Sequence, residues 1–226
     1  PVVGAAAQSL APDARLLAGA ARTQERAGAQ PRYYNSILAI RPDGTVDGRF
    51  DKLHLVSFGE YLPFQSALER LGIMQLTQLP GGFSAAQERQ SGGVEGVPPF
   101  LPLICYEVIF PNEIRRQPGD AFILNVTNDA WYGDTPGPYQ HLAHARLTAV
   151  ALGLPLVRAA NSGISIVTDS AGRDVARIGL GERGTIAAAL PAPGGQTVFA
   201  QYGSLVFWLM SAAALLTVST LRRSHS

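Results

Sequence analysis

Two side chains that can do chemistry occur once each among the 226 residues. Cys105 is the only cysteine, so an internal disulfide and a structural thiolate metal cluster are excluded. Lys52 is the only lysine beside 17 arginines. A lysine ammonium is compact and sits on a flexible stem, so it can reach a single atom that a broad guanidinium cannot. A lone thiol in an apolar strand is by default an inert small hydrophobe. Two neighbours point instead to a thiol with a task. Glu107 follows two residues later and falls on the same strand face, an expensive place for a carboxylate without a partner. Lys52 lies in a second dense polar and aromatic motif, DKLHLVSFGEY. His141 and His144 stand three apart on a helical segment, but no third ligand with fitting spacing follows, so no metal is expected. His54, inside the Lys motif, is expected to pack or cap there.

The elements that must hold these residues can be read in order. Residues 2 to 10 read as the end of a helix, and 14 to 22 as a buried strand. YYNSILAI at 33 to 40 is a strand by its β-branched and aromatic content, and Asp43-Gly44 turns the chain into another at 45 to 50. Residues 62 to 98, rich in Gly, Pro and Gln, read as a long mobile loop carrying apolar side chains. LPLICYEVIF at 101 to 110 is a buried strand running into a turn, and AFILNVTNDAWYG at 121 to 133 repeats that form. A helix over 141 to 153, a strand, and a hairpin turning at 170 to 172 follow. Strands alternating with helices predict an α/β layered domain over residues 1–200.

The last segment differs in kind. Residues 204–221 carry no charge and are followed at once by Arg222 and Arg223. Eighteen such residues reach the lower end of the ~17–25 that span a bilayer, and Tyr202, Phe207 and Trp208 resemble an interfacial belt. A transmembrane helix is expected, with residues 222–226 as a cytoplasmic tail and the α/β domain on the periplasmic side of a bacterial inner membrane. A free thiol in that oxidising compartment needs a function to persist. With a net charge of +1, nothing favours nucleic acid as a partner.

FDKLHLVSFGEYLP (50–63), ICYEVIFP (104–111) and NVTNDAWYG (125–133) resemble the Lys, Cys and post-Cys motifs of the nitrilase superfamily. The Leu-rich loop, AHAR at 143–146, RAANSG at 158–163 and the terminal apolar helix resemble its apolipoprotein N-acyltransferase branch. The resemblance runs from about residue 12 to the end. It implies a four-layer α-β-β-α sandwich followed by the membrane helix. It also implies that Cys105 is a nucleophile forming an acyl thioester, and that Lys52 stabilises the oxyanion with the backbone N–H of Tyr106. Glu60 then positions Lys52, and Glu107 is a structural support. Trp131 and Tyr132 would line the substrate pocket, while Leu76 and Leu79 would belong to an apolar loop gating lipid entry. The implied partners are a phospholipid acyl donor and a diacylglyceryl-cysteine lipoprotein acceptor, met by a monomer without a cofactor. The superfamily's base is a Glu in a Pro-Glu motif upstream of the first strand. No such motif occurs between Pro1 and Ala14, so the chain is expected to be a C-terminal portion that is nearly inactive alone. A nitrilase-type amidase acting on small amides, or a non-catalytic membrane-anchored remnant, are the competing expectations.

Overall fold

The computed structural model describes residues 2–64, 68, 70–72, 77, 79 and 81–224. A helix α1 (Val2–Gln8) leads into an antiparallel meander of β1 (Leu16–Gln24), β2 (Arg32–Ile40) and β3 (Val46–Asp51). The second sheet has six strands in sequence order: β4 (Gly92–Val94), β5 (Val97–Ile104), β6 (Phe122–Asn128), β7 (Leu156–Asn161), β8 (Ser165–Thr168) and β9 (Asp174–Ile178). β5, β6 and β7 are parallel, and the long helix α2 (Gly137–Leu152) makes the crossover from β6 to β7.

The period-2 alternation of the central strands builds two cores. Phe100 and Ile104 of β5, with Phe122, Leu124 and Val126 of β6, face Ile37, Ala39 and Phe50 of the smaller sheet. Leu101, Leu103 and Ile123 point the other way, onto Leu142, Ala145, Ala149 and Leu152 of α2. Both faces of β5 and β6 are therefore apolar, which is why these segments read as continuous hydrophobic runs. α2 stops at Gly153, whose φ of 65° is the left-handed conformation that only glycine adopts at no cost.

Several expectations need correction. β1 is not a buried strand: most of it is half-buried or exposed, because it is an edge strand paired only with β2. Of the four layers implied, the described residues supply the two facing sheets and the α2 layer; beside the smaller sheet only α1 is present, packed near β1. Residues 81–98 are not a loose loop. Phe83 bridges to Tyr33, the Ala86 N–H donates to the Lys52 carbonyl at 2.9 Å, and β4 pairs with β5. Much of the Leu-rich part, Leu76 included, lies outside the described residues; Leu79 is half-buried.

From Arg183 to Thr197 the chain has no regular secondary structure and returns to the end of α2. There Gly194 N–H donates to the Gly153 carbonyl at 2.9 Å, and the Thr197 hydroxyl donates to the Ala151 carbonyl. A short helix α3 (Val198–Tyr202) precedes α4 (Leu205–Ser224). The uncharged C-terminal segment is thus a helix. Among the described residues, though, no helix is long and apolar enough to cross a membrane.

Candidate active site

Cys105 begins immediately where β5 ends. The chain leaves Ile104 and enters a 3-10 turn, Cys105–Ile109, instead of continuing as strand. Cys105 has φ +52°, a left-handed backbone that costs a non-glycine residue about 1–2 kcal/mol. Strain of this kind persists only where the surroundings over-determine it. The turn lifts the half-buried, unpaired thiol beyond the sheet edge, at the carboxyl ends of β5, β6 and β7, where open α/β sheets place their ligands.

The same turn overrides the strand argument for Glu107. In a 3-10 turn, residues two apart do not share a face. Glu107 points inward and is almost fully buried. Its carboxylate accepts from the Ile104 N–H at 2.7 Å, the Leu53 N–H at 3.0 Å, the His54 N–H at 3.1 Å and the Arg89 guanidinium at 2.9 Å. Such saturation answers the cost of burying the charge. One carboxylate thereby ties the start of the Cys105 turn to the two residues after Lys52.

Lys52 follows β3 and is 1% exposed, among the largest fully buried side chains. Its ammonium donates to Glu60 Oε2 at 2.6 Å. Glu60 also accepts from the Val56 N–H at 2.8 Å and from the Asn35 side-chain amide at 2.8 Å. Lys52, Glu60, Asn35, Cys105, Tyr106, Trp131 and Tyr132 all line one open cavity of about 950 Å³. The two rarest residues, 53 positions apart in the chain, therefore meet in one space between the sheets' ends. Leu17, Ala18, Gly19, Val56, Phe83, Ile104 and Val126 make much of its wall apolar. Trp131 is largely exposed at the cavity, whereas the Tyr132 hydroxyl is pushed up to about 12, by burial first and then by its neighbours Cys105 and Asp129.

A second polar group lies behind Cys105. Asp129, His141, Arg158 and Asn125 are all buried. His141 Nε2 lies 3.2 Å from the Cys105 carbonyl oxygen, an atom that only accepts, so the ring donates there. Its Nδ1 lies 2.9 Å from Asp129 Oδ1. Arg158 donates to Asp129 Oδ2 at 2.7 Å and to the Asn125 side-chain oxygen. The Asn125 amide in turn donates to the Leu103 carbonyl at 3.0 Å. Burial alone would raise the Asp129 carboxyl, but its hydrogen bond with His141 and the Arg158 charge outweigh that and hold it below the usual carboxylate range. Burial pulls Arg158 down, opposed by Asp129. Space here is tight: a Cβ on Gly163 would collide with the Asp129 carboxylate.

The sequence reading missed this group. Its signal was nevertheless present, and was the one used for Glu107: Asn125 and Arg158 interrupt apolar strands, FILNV and LPLVR. His141 is held by Asp129 and the Cys105 carbonyl, and no metal-binding cluster is present among the described residues. His144 takes no part in the group. His54 stacks on Phe110 at 4.0 Å and pairs with Glu113 at 2.7 Å.

A carbon-nitrogen hydrolase family model matches residues 7–198, which include the cavity and every residue described around it. The chain belongs to the carbon-nitrogen hydrolase family. Among carbon-nitrogen hydrolases of known structure, it is similar to one from Helicobacter pylori G27, with a TM-score of 0.56 at 17% identity over 80% of this chain and 63% of that one. Saccharomyces cerevisiae Nit3, of the nitrilase superfamily, gives 0.53 at 19% identity over 80% and 60%. At these identities the likeness shows the fold. Apolipoprotein N-acyltransferase from Rhodopseudomonas palustris is 47% identical over 213 residues, 92% of this chain but 39% of that protein. The protein of the same name from Bradyrhizobium diazoefficiens is 48% identical over 204 residues, 89% of this chain and 38% of that protein. This carbon-nitrogen hydrolase chain thus spans about two fifths of the length of the curated relatives it matches.

Proposed function

We propose that this chain carries the catalytic centre of a membrane-associated N-acyltransferase, which moves an acyl chain from a phospholipid to the terminal amine of a diacylglyceryl-cysteine lipoprotein. The observation that carries this reading is the placement of a strained Cys105 with the buried Lys52–Glu60 pair in one largely apolar cavity. Relatives named apolipoprotein N-acyltransferase, at 46–48% identity over most of this chain, support the choice of reaction.

The chemistry has two steps. The Cys105 thiol gives its proton to the superfamily's carboxylate base, a Glu that no Pro-Glu motif between Pro1 and Ala14 supplies, and the thiolate attacks the ester carbonyl of the phospholipid. The carbonyl oxygen becomes an oxyanion beside the Lys52 ammonium and the Tyr106 N–H. As it collapses, the carbon–oxygen bond breaks, the lysophospholipid leaves with a proton, and a thioester remains on Cys105. The free amine of the lipoprotein then attacks the thioester carbon, and the thiol is regenerated. Glu60 holds the ammonium in place: its oxygens are taken up by Lys52, Asn35 and the Val56 N–H. Glu107 fixes the distance between the Cys105 turn and the Lys52 segment.

Helix α4 supplies the lipid side of the reading. Leu205, Phe207, Trp208, Leu209, Met210, Leu215, Leu216 and Val218 are all exposed, on every side of the helix. A helix apolar all round is stable when something apolar surrounds it. A bilayer does so, with Arg222 and Arg223 on the cytoplasmic side and the α/β domain in the periplasm. Trp131 and Tyr132 line the substrate path.

The test uses the whole protein in detergent micelles, a phospholipid with a radiolabelled acyl chain, and a synthetic diacylglyceryl-cysteine peptide. Label is expected on the peptide amine with wild type and not with Cys105→Ala. Release of free fatty acid at the same rate with and without the peptide would instead identify a hydrolase.

A further inference from the structure

The Cys105–Tyr106 peptide has two faces, and the structure shows what holds one of them. In a trans peptide the C=O of one residue and the N–H of the next point in opposite directions. The Cys105 carbonyl is turned inward, where His141 Nε2 donates to it at 3.2 Å and the Asn125 amide reaches it at 3.5 Å. The Tyr106 N–H must therefore point the other way, away from α2. It also belongs to the first turn of a 3-10 segment, where N–H groups have no partner within the turn. We infer that His141, oriented by Asp129 and Arg158, is a positioning residue that aims the Tyr106 N–H at the oxyanion by holding the Cys105 carbonyl behind it. This rests on the acyl-transfer reading of the cavity.

Three observations carry the inference. The left-handed φ of Cys105 is strained and needs an outside anchor, and the carbonyl bonds provide one. His141 is itself locked, with Nδ1 on Asp129 and its Oδ1 also taking the Thr127 hydroxyl at 3.0 Å. Asp129 and Asn125 are cross-braced by one arginine, Arg158, so the two donors to the carbonyl cannot move independently. Four buried polar side chains are thus spent on the position of one peptide plane. Alkylation of the thiol develops no oxyanion, whereas acylation does, so the two reactions separate aiming from mere exposure of the sulfur.

The experiment compares wild type, His141→Ala and His141→Gln in the whole protein. Acylation is followed with p-nitrophenyl butyrate by intact mass and nitrophenolate release, and alkylation with iodoacetamide. Wild type is expected to acylate, and His141→Ala to lose roughly 10²-fold in acylation kcat, the loss typical of a misplaced oxyanion donor, with KM little changed. Iodoacetamide should alkylate Cys105 in that variant at the wild-type rate. His141→Gln, which keeps an N–H donor, should recover part of the acylation. Wild-type acylation by His141→Ala overturns the inference, and so does an equal fall in both reactions, or a Gln variant no better than Ala. A wild-type protein that takes no acyl group from the ester overturns the acyl-transfer reading, and this inference with it; the other failures leave that reading standing.

Discussion

The Cys105 site and helix α4 invert one another. Around Cys105 the molecule buries charge: Lys52, Glu60, Glu107, Asp129 and Arg158 all lie inside, each with a partner. In α4 it exposes apolar surface on every side, and nothing in the described chain covers it. Both arrangements are costly when viewed in isolation. Charges leave water only where pairing and hydrogen bonds compensate them, and a large contiguous apolar surface marks a place where another apolar phase is met. The contrast teaches where each region looks for its partner. The centre pairs its buried charges internally and leaves one thiol half-open to an apolar cavity, whereas the helix leaves its apolar side chains to the environment.

The largest effect should come from the centre. Cys105→Ala removes the proposed nucleophile and is expected to abolish transfer while the thermal midpoint, followed by circular dichroism, stays near wild type. A variant retaining turnover would place the chemistry elsewhere in the cavity. Lys52→Arg comes next. The guanidinium keeps the charge but not the point geometry, and a loss of about 10²–10³-fold in kcat is expected, as for removal of an oxyanion donor. Lys52→Met should in addition cost about 3–5 kcal/mol in chemical denaturation, because Glu60 is left buried without its counter-ion. If that variant is as stable as wild type, the burial contrast is wrong at its strongest point.

The helix should respond in the opposite way. Changing Leu209, Leu215 and Leu216 to Ser is expected to reduce co-sedimentation with phospholipid vesicles and transfer from bilayer substrate. Hydrolysis of a small soluble ester should be unchanged. Equal losses on both substrates would mean that α4 supports the fold and not the surroundings. The smallest effect is one of pH. Asp129 is held below its ordinary range, so its contribution to stability is present above the unfolded value of about 3.9 and is lost as pH falls from there through the lower folded value. The gap in thermal midpoint between wild type and Asp129→Asn should therefore be full at pH 6 and shrink below about pH 4. A gap that stays constant to pH 2.5 would show that Asp129 is not the group concerned.

Much of this was legible in the residues. The motifs carrying Lys52, Glu60, Cys105 and Glu107 stood out because rare or charged residues interrupt apolar runs, and such interruptions are tolerated only with partners. The core strands β5 and β6 were legible from unbroken hydrophobicity, and helix α2 from the helical character of residues 141 to 153. The passage from strand to turn along residues 101–110 was legible too, but the left-handed backbone of Cys105 was not, because a left-handed cysteine looks like any other residue in an apolar run. β1 was misjudged as buried because an Ala- and Leu-rich strand reads the same at an edge as in a centre. The network behind Cys105 escaped because its members are scattered from Asn125 to Arg158 and meet only through the crossover of β6, α2 and β7.

The most direct test is to stop the reaction halfway. The whole protein, given phospholipid but no amine acceptor, is expected to accumulate one acyl chain on Cys105, visible by mass spectrometry of the intact protein and removed by neutral hydroxylamine. Addition of a diacylglyceryl-cysteine peptide should discharge it at the rate of overall transfer. Transfer to the peptide that proceeds with no adduct on Cys105, under conditions where a thioester would survive, contradicts the account at its centre.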